Sequence, residues 1–248
     1  MSLRAAWAFL TRLPGGTHPR NDRELGRSVC WFPLVGVVIG AFSGAVYWWL
    51  HGPLGAALSA SAAVAASVVV TGAFHEDGLA DTADALGGVT REQRLEIMKD
   101  SRVGTFGVLA LVLTVLVRVF AVSSLAPLDG LAALLLAHML GRAMAVAAMA
   151  TMPAVSGAGL GHSYTTHLCR VRTAVSVAVS CAAAAGLGVP GAAGLAVAAV
   201  ATVLVLTVAR RAFGGITGDV LGAVEQAGEV AVLVAAASLA ETQAWTWL

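Results

Sequence analysis

Acidic side chains are concentrated in one short stretch of a chain that otherwise carries little charge. Only 12% of the 248 residues are charged, yet Asp77, Asp81 and Asp84 follow one another closely. In a helix this spacing, i, i+4 and i+7, places the three carboxylates on one face within about two turns. Unless they are solvated or protonated, a bound cation explains such a face best. Oxygen ligands without a cysteine or histidine cage suit Mg²⁺, Mn²⁺ or Ca²⁺.

A second polar motif occupies residues 214–229 and follows a pair of arginines. Its glycines can bring backbone N–H groups close to a phosphate, and a helix that begins near Asp219 presents Asp219 and Glu229 on one stripe. A flexible turn capped by Asp219 is the alternative interpretation. If both acidic motifs lie at the same membrane face, their carboxylates can share one or two metal ions.

Three further features bear on substrate binding. The glycine-rich segment 153–164 either closes over a substrate or is merely a long connection. Arg118 and Arg142 fall inside apolar stretches, where a cation costs at least ~2.5–3.5 kcal/mol and needs a partner or a watery cavity. We expect Arg142 to be the better candidate for contacting a substrate anion. Arg118 is expected to snorkel to the surface or to pair with Asp129.

The composition is that of a membrane protein. Apolar residues make up 58% of the chain, and no formal charge occurs in 28–74 or in 173–209. Because a span needs about 20 apolar residues, each of these runs holds two. The sequence predicts an all-α, polytopic helical bundle of about seven spans, forming a single membrane-embedded domain over 1–248. The spans are expected near 31–50, 54–74, 104–124, 131–150, 173–189, 192–209 and 229–247.

Topology follows from the distribution of basic residues. Every second connection is basic, so the positive-inside rule predicts that the segments near 75–103, 151–172 and 210–229 are cytoplasmic, with the N-terminus. Residues 1–14 show no cleavable signal and suit either a short interfacial helix or a frayed terminus. Gly36 and Gly40 have the spacing of a helix-packing motif. No basic-aromatic patch is present and no nucleic-acid partner is expected, although the net charge of +1 is uninformative on this point. Three scattered cysteines indicate neither a disulfide framework nor a metal site.

Several runs carry a resemblance to a known family. The main ones are Phe-His-Glu-Asp-Gly-Leu-Ala-Asp-Thr-Ala-Asp-Ala-Leu at 74–86, Met-Lys-Asp-Ser-Arg-Val-Gly-Thr-Phe-Gly at 98–107 and Gly-Ile-Thr-Gly-Asp-Val-Leu-Gly-Ala at 215–223. Thr-Arg-Leu-Pro at 11–14, Phe-Pro-Leu-Val-Gly at 32–36 and Gly-Ala-Gly-Leu-Gly at 157–161 add to them. Over essentially its whole length the chain resembles the cobalamin synthase family, adenosylcobinamide-GDP ribazoletransferase. Ala85 stands where the family usually has glycine, and Glu76 occupies a variable place, so neither is given a role.

The resemblance implies a multi-pass enzyme of the bacterial inner membrane whose active site faces the cytoplasm. Such an enzyme joins adenosylcobinamide-GDP to alpha-ribazole, or to its 5'-phosphate, releases GMP and depends on Mg²⁺. Its partners are these small molecules and the lipid bilayer, and a homo-oligomer is left open. The residue chemistry agrees with this, because a pyrophosphate substrate needs cations to neutralise the leaving phosphate.

Candidate residues follow from the motifs and the resemblance together. The predicted metal ligands are Asp77, Asp81, Asp84, Asp100, Asp219 and Glu229, of which the last three are further ligands or supporting groups. The predicted catalytic residues are His75, Asp81, Lys99 and Arg102, with His75 as one candidate general base and a carboxylate as the other. The predicted substrate-binding residues are Arg12, Arg142, Gly159, Gly161, Gly215, Thr217 and Gly218.

Two other functions are compatible with parts of the pattern. A membrane transferase that uses a nucleotide-activated alcohol to make phospholipid also places clustered aspartates at the cytoplasmic surface, although its signature spacing differs. A cation-coupled transporter usually places its acids near the bilayer midplane, on broken helices of repeated halves. No internal repeat is found here, and the acids are predicted at one membrane face, which favours an enzyme.

Overall fold

The structure, a computed structural model, describes residues 2–19, 21–155 and 167–241. Its helices are α1 (Ser2–Leu10), α2 (Asp22–Ser28), α3 (Phe32–Thr71), α4 (Phe74–Ala85), α5 (Arg91–Ile97), α6 (Thr105–Ser123), α7 (Pro127–Thr151), α8 (Arg170–Gly186), α9 (Gly188–Phe213) and α10 (Gly218–Glu241). One turn of 3-10 helix, Val29–Trp31, joins α2 to α3. Within these ranges the sole strand-like pairing is an isolated bridge between Ala154 and Ile216. The all-α prediction is therefore confirmed.

Five helical stretches of the described chain are long and apolar enough to cross a membrane. They are Asp22–Thr71, Thr105–Ser123, Pro127–Thr151, Gly188–Phe213 and Gly218–Ala240. Seven separate spans are not found. The predicted spans 31–50 and 54–74 form the single element α3. The predicted span 173–189 corresponds to α8, whose 17 residues are at the lower limit of the length of a membrane span.

Helix α3 is a helical hairpin rather than a straight rod. Pro53 and Gly55 interrupt it, and Gly55 has φ 73° and ψ 173°, which are not helical. The ring of Phe9 lies 5.7 Å from that of Phe32 and 4.9 Å from that of Phe74, so both ends of α3 reach the same aromatic ring. A straight helix of 40 residues would separate these ends by about 60 Å. The chain therefore reverses near Gly55, where the predicted span 31–50 gives way to the predicted span 54–74.

Small residues bring the first leg of α3 against α7. A Cβ on Gly40 would come within 2.6 Å of the Cα of Leu135, and one on Gly44 within 2.9 Å of the Cα of Leu131. These glycines and Gly36 recur every four residues and so share one face of the helix. The predicted packing role of Gly36 and Gly40 is confirmed, because only glycine permits this backbone separation.

Helix α1 covers the end of the bundle at which α3 begins and ends. Leu10 is buried against the bundle, whereas Leu3 near the start of the helix is 42% exposed. The helical prediction for the N-terminus is thus confirmed, and its location at a membrane interface stays a prediction.

Candidate active site

The acidic segment enters its helix through a tight left-handed turn. Gly72 ends α3 with φ 68°, and Ala73 follows with φ 58°, a conformation that is costly for a residue with a Cβ. Helix α4 begins at the next residue. Its period places Asp77, Asp81 and Asp84 on one face, as their spacing predicts.

Arg12, a predicted substrate-binding residue, lies beside this turn. Its backbone N–H donates to the carbonyl of Val70 at 2.8 Å. Its side chain covers Gly72, where a Cβ would come within 2.8 Å of Arg12 Cγ, and it remains exposed. The fold therefore brings a cation from the N-terminal segment to the start of the acidic helix.

Two glycines let α4 and α10 cross at backbone distance. A Cβ on Gly78 would come within 2.8 Å of the carbonyl oxygen of Asp219. A Cβ on Gly222 would come within 3.0 Å of the carbonyl oxygen of His75. Asp219 consequently lies next to the acidic face of α4, and two motifs that are far apart in the sequence meet at one place.

Asp81 lies among other carboxylates. Burial raises the pKa of Asp81 to about 6, and repulsion from Asp77, Asp219 and Asp84 adds to the shift. Asp77 is exposed, while Asp81 and Asp84 are half-buried. A divalent cation would remove the repulsion among these four groups, which we call the acidic cluster. Their oxygen-only chemistry therefore fits Mg²⁺.

Asp84 also accepts hydrogen bonds from backbone N–H groups at the N-terminus of α6. Its Oδ2 accepts the backbone N–H of Gly104 at 2.7 Å, and its Oδ1 accepts that of Gly107 at 2.8 Å. A Cβ on Gly104 would come within 2.5 Å of the same carboxylate, so glycine is needed there. Asp84 thus satisfies N–H groups that have no partner inside the helix, and it fixes α6 to α4.

The loop after α5 carries three predicted site residues beside the N-terminus of α10. Met98 anchors it, since Thr217 Oγ1 lies 3.2 Å from Met98 Sδ. Lys99 is exposed, and the side chain of Arg102 is 86% exposed. Arg102 Nη2 donates to Asp100 Oδ2 at 2.6 Å, and its hydrogen bonds lower the pKa of Asp100 to about 2. Asp100 therefore already has a cationic partner.

The predicted substrate-binding residues 215–218 form the start of α10. Thr217 Oγ1 accepts the backbone N–H of Val220 at 3.2 Å and caps the helix. Ile216 exchanges backbone hydrogen bonds with the start of the glycine-rich segment 153–164, which we call the middle loop. Its carbonyl accepts the N–H of Val155 at 2.9 Å, and its N–H donates to the carbonyl of Pro153 at 3.0 Å. The middle loop thus reaches this site. The predicted residues Gly159 and Gly161 of that loop lie outside the described residues.

Arg118 has partners that the sequence did not indicate. It is fully buried; its Nη1 lies 3.0 Å from Glu76 Oε1, and its Nη2 lies 3.2 Å from Glu229 Oε2. Nη1 also donates to Gln226 Oε1 at 3.2 Å. The expectation that Arg118 snorkels or pairs with Asp129 is wrong, because the bundle interior supplies two carboxylates to its guanidinium.

The same network continues through α7. Arg142 Nη1 lies 2.6 Å from Glu225 Oε1 and 3.0 Å from Glu229 Oε1, and His138 Nδ1 contacts the latter oxygen. A Cβ on Gly141 would come within 2.8 Å of the carbonyl oxygen of Glu225, so this glycine permits the close crossing of α7 and α10. Two carboxylates therefore contact the guanidinium of Arg142, a residue that the sequence predicted to bind a substrate anion. We refer to Glu76, Arg118, His138, Arg142, Glu225 and Glu229 as the buried ion network.

Part of this network could itself hold a metal ion. The ligand atoms of His138, Glu225 and Glu229 lie within 4.8 Å of one another. Arg142 already pairs with both carboxylates, however, and its positive charge would repel a metal cation. Glu229 also lies ten residues after Asp219 in α10, an axial separation of about 15 Å. The two residues cannot both contact one Mg²⁺, whose ligand distances are ~2.0–2.1 Å.

His75 lies between the acidic cluster and the buried ion network. Its Nδ1 is 3.5 Å from Glu225 Oε2, and its ring is nearly inaccessible. Burial, followed by the charge of Arg142, holds the pKa of His75 well below its usual range, so the imidazole is neutral at pH 7. His75 and Arg142 line a cavity of about 30 Å³ that also borders Gly218 and Gly222. The volume suffices for about one water molecule.

Glu76, His138 and Glu225 are the residues that motif reasoning missed. The sequence did contain a signal that could have found them, because an ionisable residue inside a membrane helix needs a partner or a functional role. Glu225 precedes Glu229 by four residues, and His138 precedes Arg142 by four, so each pair shares a helix face. The pairing between helices is not visible in that spacing.

Comparisons with known proteins agree with the motifs. The family model described as cobalamin-5-phosphate synthase matches residues 2–237. An adenosylcobinamide-GDP ribazoletransferase from Bradyrhizobium diazoefficiens is 40% identical, covering 95% of this chain and 93% of its own. Proteins of the same name from Klebsiella pneumoniae and Sinorhizobium medicae are 38% and 42% identical; the matches cover 94% and 93% of this chain, and 98% and 93% of theirs.

No solved structure is significantly similar to the chain. The family match spans nearly all of the described helices, including both acidic motifs and the middle loop between them. The resemblance inferred from the motifs is thereby confirmed: the chain belongs to the cobalamin-5-phosphate synthase family.

Proposed function

We propose that this protein is an adenosylcobinamide-GDP ribazoletransferase. Its substrates are adenosylcobinamide-GDP and alpha-ribazole or alpha-ribazole 5'-phosphate, and its products are the cobalamin or its 5'-phosphate and GMP. The relatives that match nearly the whole chain carry this name. The observation that carries the proposal is the meeting of Asp77, Asp81 and Asp219 where α4 crosses α10, beside a loop that presents Lys99 and Arg102.

The reaction exchanges one phosphorus–oxygen bond for another. A hydroxyl oxygen of the ribazole attacks the phosphorus that carries the cobinamide, the bond from that phosphorus to the GMP oxygen breaks, and the hydroxyl loses its proton. Such transfers depend mainly on in-line positioning and on stabilisation of negative charge. The acidic cluster and the neighbouring cations meet these two needs.

Mg²⁺ would bind Asp77, Asp81 and Asp219, with Asp84 and Asp100 contributing through oxygen lone pairs that their present partners leave available. When bound, it supplies positive charge to the diphosphate oxygens. The raised pKa of Asp81 supports this assignment, since mutual repulsion among carboxylates contributes to it. We assign Glu229 to the buried ion network instead, where it holds α10 against α6 and α7 through Arg118 and Arg142.

The diphosphate would lie at the N-terminus of α10. Backbone N–H groups at Gly215, Thr217 and Gly218 and the positive end of the helix dipole favour an anion there. Lys99 and Arg102 are exposed on the adjoining loop, where Lys99 would turn towards phosphate oxygens and Arg102 would exchange its pairing with Asp100 for them. Arg12 approaches from the start of α4. Gly159 and Gly161 of the middle loop stay predicted substrate contacts. Arg142 also stays a predicted substrate contact, on the wall of the cavity that it shares with His75.

His75 would receive the proton of the attacking hydroxyl. Its imidazole is neutral at pH 7, as a base requires, and Glu225 is placed 3.5 Å from Nδ1 to orient the ring. Its cavity borders Gly218 and Gly222 at the first turn of α10. A carboxylate of the acidic cluster is the alternative acceptor, and replacing His75 by Gln or Ala distinguishes the two.

For the membrane arrangement we propose seven crossings with the N-terminus in the cytoplasm of a bacterial cell. The hairpin form of α3 supports two crossings for that element, and α8 would cross with help from its basic N-terminal turn. The basic connections then share one side with α4, the 98–102 loop and the start of α10. Cysteine accessibility of single-cysteine variants in the 87–103 loop would test this orientation, since labelling from outside the cell contradicts it.

The activity is tested directly with purified protein in lipid, given adenosylcobinamide-GDP, alpha-ribazole and Mg²⁺. We expect GMP and the cobalamin to form in equal amounts, and no product when Mg²⁺ is chelated. Parallel reactions with alpha-ribazole and its 5'-phosphate identify the preferred acceptor. Absence of both products with either acceptor would refute the proposed function.

A further inference from the structure

An apolar groove of about 720 Å³ lies between α3 and α8, away from the acidic cluster. Leu34 and Val37 of α3 form one wall, and Val175 and Val179 of α8 form the other. Met139 of α7 also lines it. The walls are tied together by a hydrogen bond of 2.6 Å from Ser176 Oγ to the carbonyl of Cys30. The groove is thus a defined concave feature of a helix surface that the composition assigns to a membrane.

Positive charge is concentrated at one end of this groove. Arg170 and Arg172 belong to the first turn of α8 and are exposed, and Arg172 also lines the groove. Cations are unfavourable at the positive end of a helix dipole, and the first turn of α8 contains no acidic residue. Within the described ranges neither arginine forms an ion pair with a carboxylate. Electrostatics at this end therefore favour a bound anion.

We propose that the groove binds one anionic phospholipid. The headgroup phosphate lies at Arg172 and the first turn of α8, and one acyl chain runs between α3 and α8 over Val175 and Val179. From Val171 to Ala183 the lined part of α8 rises about 18 Å, close to the depth of one leaflet of a ~30 Å hydrocarbon core. The charge selects an anionic lipid, which is the kind that cytoplasmic leaflets supply to basic segments. This site does not depend on the ribazoletransferase activity.

Trp31 lines the groove and provides a reporter for the test. The protein is reconstituted in phosphatidylcholine, and phosphatidylglycerol with brominated acyl chains is added in increasing fraction while tryptophan fluorescence is measured. We expect a saturable quenching phase that disappears in Trp31→Phe. The matched control Trp49→Phe removes a tryptophan of α3 that is 74% exposed and does not line the groove, and this variant should retain the quenching phase.

Charge and shape are then varied separately. Arg172→Gln should weaken phosphatidylglycerol binding about fivefold, since one basic residue near a membrane surface contributes about 1 kcal/mol. Arg211→Gln, an exposed arginine at the end of α9, should leave it unchanged. Val175→Phe should abolish the phase by filling the groove, whereas Val203→Phe on the exposed face of α9 should not.

Four outcomes would overturn the proposal. Equal quenching by brominated phosphatidylcholine would show that the headgroup charge is not recognised. Equal affinities in Arg172→Gln and Arg211→Gln would exclude Arg172 as the phosphate contact. Displacement of the lipid by adenosylcobinamide-GDP would assign the groove to the corrinoid. Lipid binding that arises only when oligomers dissociate on dilution would assign the groove to a second copy of the chain.

Discussion

Removing Arg118 tests the buried ion network most directly. The guanidinium lies 3.0 Å from Glu76 and 3.2 Å from Glu229, and it is fully buried. Arg118→Met keeps the apolar length of the side chain but leaves both carboxylates short of a partner. Loss of one partner of a buried pair costs about 3–5 kcal/mol, so we expect a loss of that size in the free energy of unfolding.

The reasoning also predicts how a second substitution changes the result. Glu76→Gln removes one of the carboxylates left unpaired, so the double variant should lose less stability than the sum of the single variants. For residues in direct contact a coupling of about 1–3 kcal/mol is expected. The free energies come from denaturant titrations in detergent micelles followed by circular dichroism. Arg211→Met is the control, since an exposed arginine should change stability by less than about 0.5 kcal/mol.

Either of two results would refute the account of Arg118. A cost below about 1 kcal/mol would mean that the residue behaves as a solvated surface arginine. Additive effects of Arg118→Met and Glu76→Gln would mean that their side chains do not interact. Turnover measured on the same samples shows whether α4, which carries Glu76 next to Asp77, is also displaced.

The remaining predictions concern the acidic cluster and the crossing of α4 and α10. Asp81→Asn should abolish turnover while the protein stays folded, whereas Glu92→Gln on the solvated helix α5 should have little effect; normal turnover and Mg²⁺ dependence in Asp81→Asn would refute our metal assignment. Because the pKa of Asp81 is raised from 3.8 to about 6, the metal-free protein should lose stability as pH rises through that interval, and Mg²⁺ affinity should fall as pH drops below about 6. Both trends should weaken in Asp81→Asn when followed by thermal unfolding and Mg²⁺ titration, and Asp219, whose pKa burial also raises, should account for part of what remains. Gly78→Ala should destabilise the protein by about 1–3 kcal/mol and lower turnover, since its Cβ meets the backbone of Asp219, whereas Gly186→Ala has open space and should do neither.

Local features of the site could be predicted from the sequence because short-range geometry determines them. The period of a helix puts Asp77, Asp81 and Asp84 on one face, and Gly218 and Asp219 begin α10 where the glycine-rich motif indicates. Charge-free runs of sufficient length identify membrane helices, and the turn residues near Gly55 mark the reversal in α3. The long motifs were specific enough to give the family.

Tertiary structure alone decided which charges face one another. Arg118 pairs with Glu76 and Glu229, which are 42 and 111 positions away in the sequence. Asp84, which the sequence predicted only as a metal ligand, accepts hydrogen bonds from the backbone N–H groups of Gly104 and Gly107. Coulomb interactions and hydrogen bonds depend on distances of a few ångströms between atoms. Those distances are set by how closely helices cross, which at Gly78 and Gly141 depends on the backbone of a distant helix. A single sequence contains the glycines that permit such a crossing, but it does not show which distant helix packs against them.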